Sequence, residues 1–243
     1  MSSFVAALQF LTIFPWPKRP ERSAEEVGQA AIYFPVIGLL LGMILALVNW
    51  LLRAFTTASL SSIAVVTLLA LLTRGLHLDG LADTFDGLGA GGDRERMLRV
   101  MDDSRTGAFG VTAIVLVMFF KIHAIEGIAD QVWRALLCAL VLSRWSMVLL
   151  AYRSKAAKEG LGSMWIAHMA PKHFLFATIA AGILIAGILQ AVGLAMMIWV
   201  AVFTMAWKRY FHRRLGGVTG DTFGAVGELS EASVLFLLAL ANR

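Results

Sequence analysis

Apolar residues occur along this chain in continuous runs, and the polar residues are gathered between them. One-sided stripes at helical period would be the mark of a soluble bundle; these runs are apolar all round. Residues 31–52, "AIYFPVIGLLLGMILALVNWLL", are long enough to cross about 30 Å of hydrocarbon. Residues 59–73 form a shorter run whose helix is expected to continue toward His77. The runs at 108–125 and 132–152 each come close to the roughly 20 residues that a crossing requires. Residues 174–207 exceed one crossing, so a break near 190–193 is expected to divide them into two helices that turn at a membrane surface. The last run, 226–241, carries Glu228 and Glu231 near its start, which leaves its depth open. The pattern predicts an all-α, polytopic integral membrane bundle of six to seven transmembrane helices, a single membrane domain over 1–243. Residues 4–14 are too short to cross and stop at Pro15 and Pro17, so an N-terminal interfacial or re-entrant helix is expected, with a first helix packed on the bundle as the alternative.

Composition agrees with this class: 59% of residues are hydrophobic, 15% are charged, and the mean hydropathy is +0.77. Alternating the runs across a membrane sorts the connections onto two sides. One side receives Lys18, Arg19, Arg22, the five arginines of 74–107, the basic residues of 153–158, Lys172 and those of 208–214. The other receives little beyond Arg53 and Arg134. The positive-inside rule makes the basic side cytoplasmic, together with the N-terminus. The net charge of +5 is explained by this bias, and no nucleic-acid partner is expected. Positive charges follow the first apolar stretch instead of preceding it, so no cleaved leader is expected. Cys138 is the only cysteine, which rules out a disulfide framework and a cysteine zinc site.

The acidic residues are as unevenly spread as the basic ones. Segment 74–107, read as an Asp-rich cytoplasmic loop carrying the active site, holds seven of the sixteen; Asp221, Glu228 and Glu231 lie in the second cytoplasmic acidic segment, 208–231. In "HLDGLADTFDG" the spacing D-x3-D-x2-D places Asp79, Asp83 and Asp86 within an arc of roughly 60° on a helix. The residues between them, Leu78, Leu81, Ala82 and Phe85, are apolar, so the acids form the polar stripe of a buried helix. Like charges so placed repel, and a divalent cation would offset the repulsion. Mg²⁺ fits best, because it takes one or two carboxylates and completes its shell with water and substrate phosphates. Arg74 and Arg105 would add bidentate phosphate recognition. Arg94, Glu95, Arg96 and Arg99 read as a solvated polar face. The glycines of "DGLGAGG" read as a hinge, since no Gly-Lys-Ser/Thr follows them. His77 fits a general base, a phosphate donor or an interfacial polar residue. Lys121, His123 and Arg144 are ionisable groups in or near apolar runs and are functional candidates on that ground, Arg144 facing the bundle interior toward a carboxylate or a phosphate. No arrangement for covalent nucleophilic catalysis is visible, which leaves metal-assisted phosphoryl or pyrophosphate chemistry.

At these residues the chain resembles a known family. The run "RGLHLDGLADTFDGLGAGGDRERMLRVMDDSRTGAFG" is similar to the signature of the cobalamin synthase family, the adenosylcobinamide-GDP ribazoletransferases. "GGVTGDTFGAVGELSE" resembles the family's second acidic segment, and "ALQFLT" its N-terminal start. The resemblance implies a Mg²⁺-dependent multi-pass enzyme of the bacterial inner membrane, in the nucleotide loop assembly of cobalamin biosynthesis, with its active site on the cytoplasmic side. Such an enzyme joins adenosylcobinamide-GDP to α-ribazole, or its 5'-phosphate, and releases GMP. Asp79, Asp83 and Asp86 match the first acidic motif, Asp103, Ser104, Arg105 and Gly107 its "DSR.G" element, and Asp221, Glu228 and Glu231 the second motif. Departures are mild: Ile13 and Phe14 replace a more polar residue, and Asp102 stands where a basic residue is common. On this basis Asp79, Asp83, Asp86 and Asp221 are expected to hold Mg²⁺, and Arg105 to neutralise charge developing on GMP. His77 or a carboxylate would accept the proton of the attacking hydroxyl. Arg74, Asp103, Ser104, Lys121 and Arg144 are further expected substrate contacts. Two other membrane transferases act on diphosphates through Asp-rich helices, but UbiA-like prenyltransferases expect paired D-x3-D motifs and CDP-alcohol phosphotransferases expect D-x2-D-G-x2-A-R. A transporter would place its acids near the bilayer midplane, not at the cytoplasmic mouth. Such a chain is also compatible with a homo-oligomer.

Overall fold

A computed structural model describes residues 2–14, 24–128 and 130–241; Pro15, Pro17, Lys18, Arg19 and Arg22 lie outside the described residues. Regular structure among these is helical apart from one isolated bridge between Ala156 and Val218. The order is α1 (Ser2–Leu11), α2 (Ala24–Ala30), a 3-10 turn (Ala31–Tyr33), α3 (Phe34–Arg53), α4 (Ala58–Leu72), α5 (Leu76–Ala90) and α6 (Arg94–Met101). Then come α7 (Ala108–Gly127), α8 (Val132–Ala151), α9 (Leu161–Ala167), α10 (Pro171–Arg214) and α11 (Gly220–Ala241). Among the described residues five helices are long and apolar enough to cross a membrane, and α4 with α5 adds a sixth if that bent pair counts as one span.

The long α10 raises the number further. Its backbone is broken at Gln190, where φ is 49°. A Cβ on Gly193 would lie 2.7 Å from the carbonyl oxygen of Ile185, and one on Gly182 would meet Met197 at 4.0 Å. Residues 185 and 193 are about 12 Å apart along a straight helix, so these contacts require the chain to reverse. The pairings 185 with 193 and 182 with 197 converge on Gln190, and α10 is an antiparallel hairpin. Its two ends meet again at Tyr152, whose ring stacks on Phe174 at 4.2 Å and whose carbonyl accepts a hydrogen bond from Lys208. The break expected at 190–193 is therefore present, and counting the two arms separately gives seven apolar segments.

The bundle is organised around α8, 89% of whose apolar window is buried, against 17% for α10. On α3, Gly38 and Gly42 repeat at four-residue spacing, which lets its backbone approach α8 closely. A Cβ on Gly42 would lie 2.9 Å from the Cα of Leu137. The buried stripe Ile37, Leu41 and Leu45 faces inward, and Leu47 and Trp50 point outward. The hydroxyl of Ser61 donates to the Asn49 side-chain oxygen at 2.8 Å, a polar clasp between α3 and α4. The outer face of the α10 hairpin exposes Ile183, Ile198 and Val202, each more than 60% accessible, as a lipid-facing surface requires.

One expectation needs correction. The helix at 59–73 does not run on to His77: Arg74 and Gly75 both take left-handed conformations, and α5 leaves α4 at 88°. The connection expected at 74–107 is mostly helical, in α5 and α6, and α5 is the helix expected to carry Asp79, Asp83 and Asp86. The N-terminal helix is short and packed on the bundle, with Ala6, Ala7 and Leu11 buried and the Ile13 N–H donating to the Leu72 carbonyl at 2.7 Å.

Candidate active site

Glycines bring the two acidic segments together. A Cβ on Gly80 would stand 2.7 Å from the Asp221 carbonyl oxygen, and one on Gly224 would stand 2.9 Å from that of His77. These two contacts define an antiparallel crossing of α5 and α11 at backbone distance, which any side chain at either position would prevent. Asp79 and Asp221 consequently line one cavity of about 580 Å³. Asp83, one turn beyond Asp79, has Asp79, Asp221 and Asp86 as repelling neighbours and Lys158 as the attracting one.

Lys158 holds this arrangement in register. Its ammonium donates to Asp102 at 2.6 Å and approaches Asp221 at 3.0 Å. Burial pushes its pKa down, but the two ion pairs outweigh burial and hold it above 10.5, so it is a cation at neutral pH. The same cavity has an apolar end, walled by Phe10 of α1, Phe34 of α3, Trp165 of α9 and Phe223 of α11. His77 also lines it, is 3% exposed, and has neither ring nitrogen hydrogen-bonded among the described residues. A second, more open cavity lies beside α5, lined by Arg74, Thr106 and, again, Asp79. Asp79 thus stands between two spaces.

Other expected site residues lie elsewhere. Asp86 turns away from Asp221: its two carboxylate oxygens accept from the N–H of Gly107 at 2.7 Å and of Gly110 at 2.8 Å. It caps the N-terminus of α7, where the helix leaves N–H groups unpaired. Arg105 is exposed and forms a bidentate pair with Asp103, donating at 3.0 and 2.7 Å. The side-chain hydrogen bond from Arg105 lowers the Asp103 pKa to about 2. Ser104 is exposed beside them, and none of the three lines either cavity. Arg74 donates to the Gln9 carbonyl at 3.3 Å.

Lys121, Arg144, Glu228 and Glu231 form one buried ionic cluster instead of contacting the cavity. Lys121 meets Glu228 at 2.5 Å and Glu231 at 2.7 Å, and Arg144 meets Glu231 at 2.9 Å. The second acidic segment therefore divides: Asp221 faces the cavity, and Glu228, about 10 Å further along α11, belongs to the interior. Two cations against two anions leave the cluster neutral, as burial demands. Lys158, Phe10, Phe34 and Trp165 are cavity residues that the sequence did not single out. Phe10 lies in "ALQFLT", but nothing there marks it as a cavity wall, and the other three sit in no motif.

Among the described residues no three acidic, histidine or cysteine side chains are close enough to form a metal cage by themselves. That is compatible with an ion that takes one or two carboxylates and fills its shell from substrate phosphates.

Against the family comparisons, residues 3–239 match the family described as Cobalamin-5-phosphate synthase. The chain belongs to the cobalamin-5-phosphate synthase family. Within that family it is similar to the adenosylcobinamide-GDP ribazoletransferase of Geotalea daltonii, 41% identical over 245 residues that cover 99% of this chain and 98% of that protein. The proteins of the same name from Syntrophobacter fumaroxidans and Klebsiella pneumoniae are 40% and 39% identical, each covering 99% of this chain and 98% and 99% of the relative. No solved structure matches the chain.

Proposed function

We propose that this cobalamin-5-phosphate synthase family member is an adenosylcobinamide-GDP ribazoletransferase, joining adenosylcobinamide-GDP to α-ribazole or its 5'-phosphate and releasing GMP. The observation that carries the reading is the backbone crossing of α5 and α11, which puts Asp79 and Asp221 on one cavity with Asp83 beside them. Whole-length similarity to proteins bearing that name supports the substrates.

A ribose hydroxyl of the acceptor attacks the phosphorus attached to cobinamide. The new P–O bond forms as the P–O bond to GMP breaks, GMP leaves with the bridging oxygen, and the hydroxyl proton passes to a base. His77 is suited to that role because it lines the cavity and its ring nitrogens are unengaged. Asp79, Asp83 and Asp221 supply hard oxygen donors of the kind Mg²⁺ takes. When bound there, Mg²⁺ would neutralise charge on the pyrophosphate. Lys158 holds Asp221 and Asp102 at the rim, and the apolar wall excludes water from the reacting groups. Arg105, on its exposed loop, is free to exchange Asp103 for a leaving phosphate.

The basic residues support a multi-pass placement in the cytoplasmic membrane with the cavity on the cytoplasmic side. Arg74, Arg94, Arg96, Lys155, Lys158 and Arg213 belong to connections or helix ends at the cavity end of the bundle, and Arg53 and Arg134 lie at the other. The deciding experiment incubates the purified protein with adenosylcobinamide-GDP and α-ribazole, with and without Mg²⁺, and follows GMP. Release that depends on both substrates is expected; no release with any divalent ion would overturn the assignment.

A further inference from the structure

We infer that the aromatic end of the cavity is the subsite for the heteroaromatic base of the acceptor nucleoside, with the Trp165 indole N–H donating to the free ring nitrogen of that base. The inference rests on the transfer reading above and adds to it where the acceptor sits and which contact selects it.

Three observations carry it. First, the wall is built from rings: Trp165 lies 4.8 Å from Phe34 and 4.8 Å from Phe223, with Phe10 at 6.0 Å from Phe34. Four rings from four helices line this end of the cavity as a packed aromatic wall on which a flat ligand can lie, since aromatic faces pack best on other rings. Second, Trp165 is 4% exposed and its Nε1–H has no partner among the described residues. A buried indole N–H is normally satisfied, so the unpaired donor points to an acceptor supplied from outside the chain. The neighbouring polar group of α9, the Ser163 hydroxyl, is already engaged with the backbone of Gly160 and does not offer a second contact. Third, the ring-lined wall adjoins the carboxylates. Gly162, one turn before Trp165, packs against Gly220, the residue preceding Asp221.

The chemistry of the acceptor matches this polarity. A benzimidazole glycosylated on one nitrogen keeps a single in-plane lone pair on the other, with no N–H and no carbonyl. One donor in an apolar wall satisfies it completely. Guanine presents several donors and acceptors at its edge, and such a wall would leave most of them unpaired, which is costly. With the base in the ring-lined end, the ribose is directed toward Asp79, Asp221 and Lys158. The cavity volume of about 580 Å³ is within the usual range for small-molecule sites.

The test compares equilibrium binding of α-ribazole with that of its analogue in which the free ring nitrogen is replaced by CH, an indole riboside of the same shape. Full-length protein in nanodiscs is dialysed against each labelled nucleoside. The wild type is expected to prefer α-ribazole by about fivefold to tenfold, the size of one net hydrogen bond. Trp165→Phe is expected to bind the two nucleosides equally, and Phe34→Leu to weaken both while keeping the preference. A wild type that does not distinguish the two would overturn the subsite whatever the variants do, as would a folded Trp165→Phe that keeps the full preference. GMP release by the wild type is measured alongside. Release without discrimination removes the subsite and leaves the transfer reading standing; discrimination without release removes the transfer reading alone.

Discussion

At the scale of single residues, the cavity rim is a contest between like charges and the cations that offset them. Asp83 is surrounded by Asp79, Asp86 and Asp221, and replacing it with Asn removes a charge and a metal donor without changing shape. GMP release by Asp83→Asn is expected to fall by at least about 100-fold, the loss typical of a group that stabilises transition-state charge, while its size-exclusion profile in detergent stays that of the wild type. Wild-type turnover by that variant would remove Asp83 from the site. Lys158 acts in the opposite sense, because its ammonium occupies the Asp221 oxygen that a metal would use. Lys158→Met should therefore lower the Mg²⁺ concentration giving half-maximal activity, by a few fold, even as maximal turnover drops through loss of the rim contact to Asp102. A Mg²⁺ titration of both proteins checks this, and an unchanged half-saturation point would show that Lys158 and the metal do not share Asp221.

At the scale of elements, the α5–α11 crossing is what converts two distant acidic segments into one site. Gly80→Ala would put a methyl 2.7 Å from a backbone oxygen, where no side chain can move aside. The helices must separate, at a cost of about 1–3 kcal/mol, and turnover should fall with the thermal midpoint because Asp79 and Asp221 move apart. Gly127, at the end of α7, has nothing within 4 Å of its Cβ position, and Gly127→Ala should leave both readouts unchanged. A Gly80→Ala variant with wild-type activity and stability would mean that the crossing is looser than the contacts require. The elements show which features a sequence makes legible. The apolar runs and the break at Gln190 could be read because length against membrane thickness is a one-dimensional property. The clustering of Asp79, Asp83 and Asp221 was visible because topology alone puts both acidic segments at one mouth. The 88° turn could not be read, since it depends on Arg74 adopting a left-handed conformation that its residue type disfavours. Nor could the different fate of Asp86, which depends on where the N-terminus of α7 arrives, nor the ring-lined cavity wall, whose four aromatics are gathered only by packing.

At the scale of the whole molecule, the ionic cluster ties α7, α8 and α11 together in the buried interior. Lys121→Met would leave Glu228 and Glu231 facing one remaining cation, Arg144, and is expected to destabilise by about 3–5 kcal/mol. Adding Glu228→Gln should recover part of that loss, because charge balance is restored; thermal unfolding in detergent reads both, and simple additivity would mean that the groups do not interact. The overall placement in the membrane can be tested through the thiol inventory. Cys138 lies fully buried in α8, so the native chain offers a silent background for labelling. Phe55, 86% exposed, sits in the turn between α3 and α4, and Arg96 is exposed on α6 at the cavity end. These two positions are on opposite ends of the bundle. If the cavity opens to the cytoplasm, an impermeant maleimide added to intact spheroplasts should label Phe55→Cys at once and Arg96→Cys only after the membrane is opened. The reverse order would invert the molecule, and would place the nucleotide substrate's site on the side of the membrane where no cytoplasmic nucleotide pool can supply it.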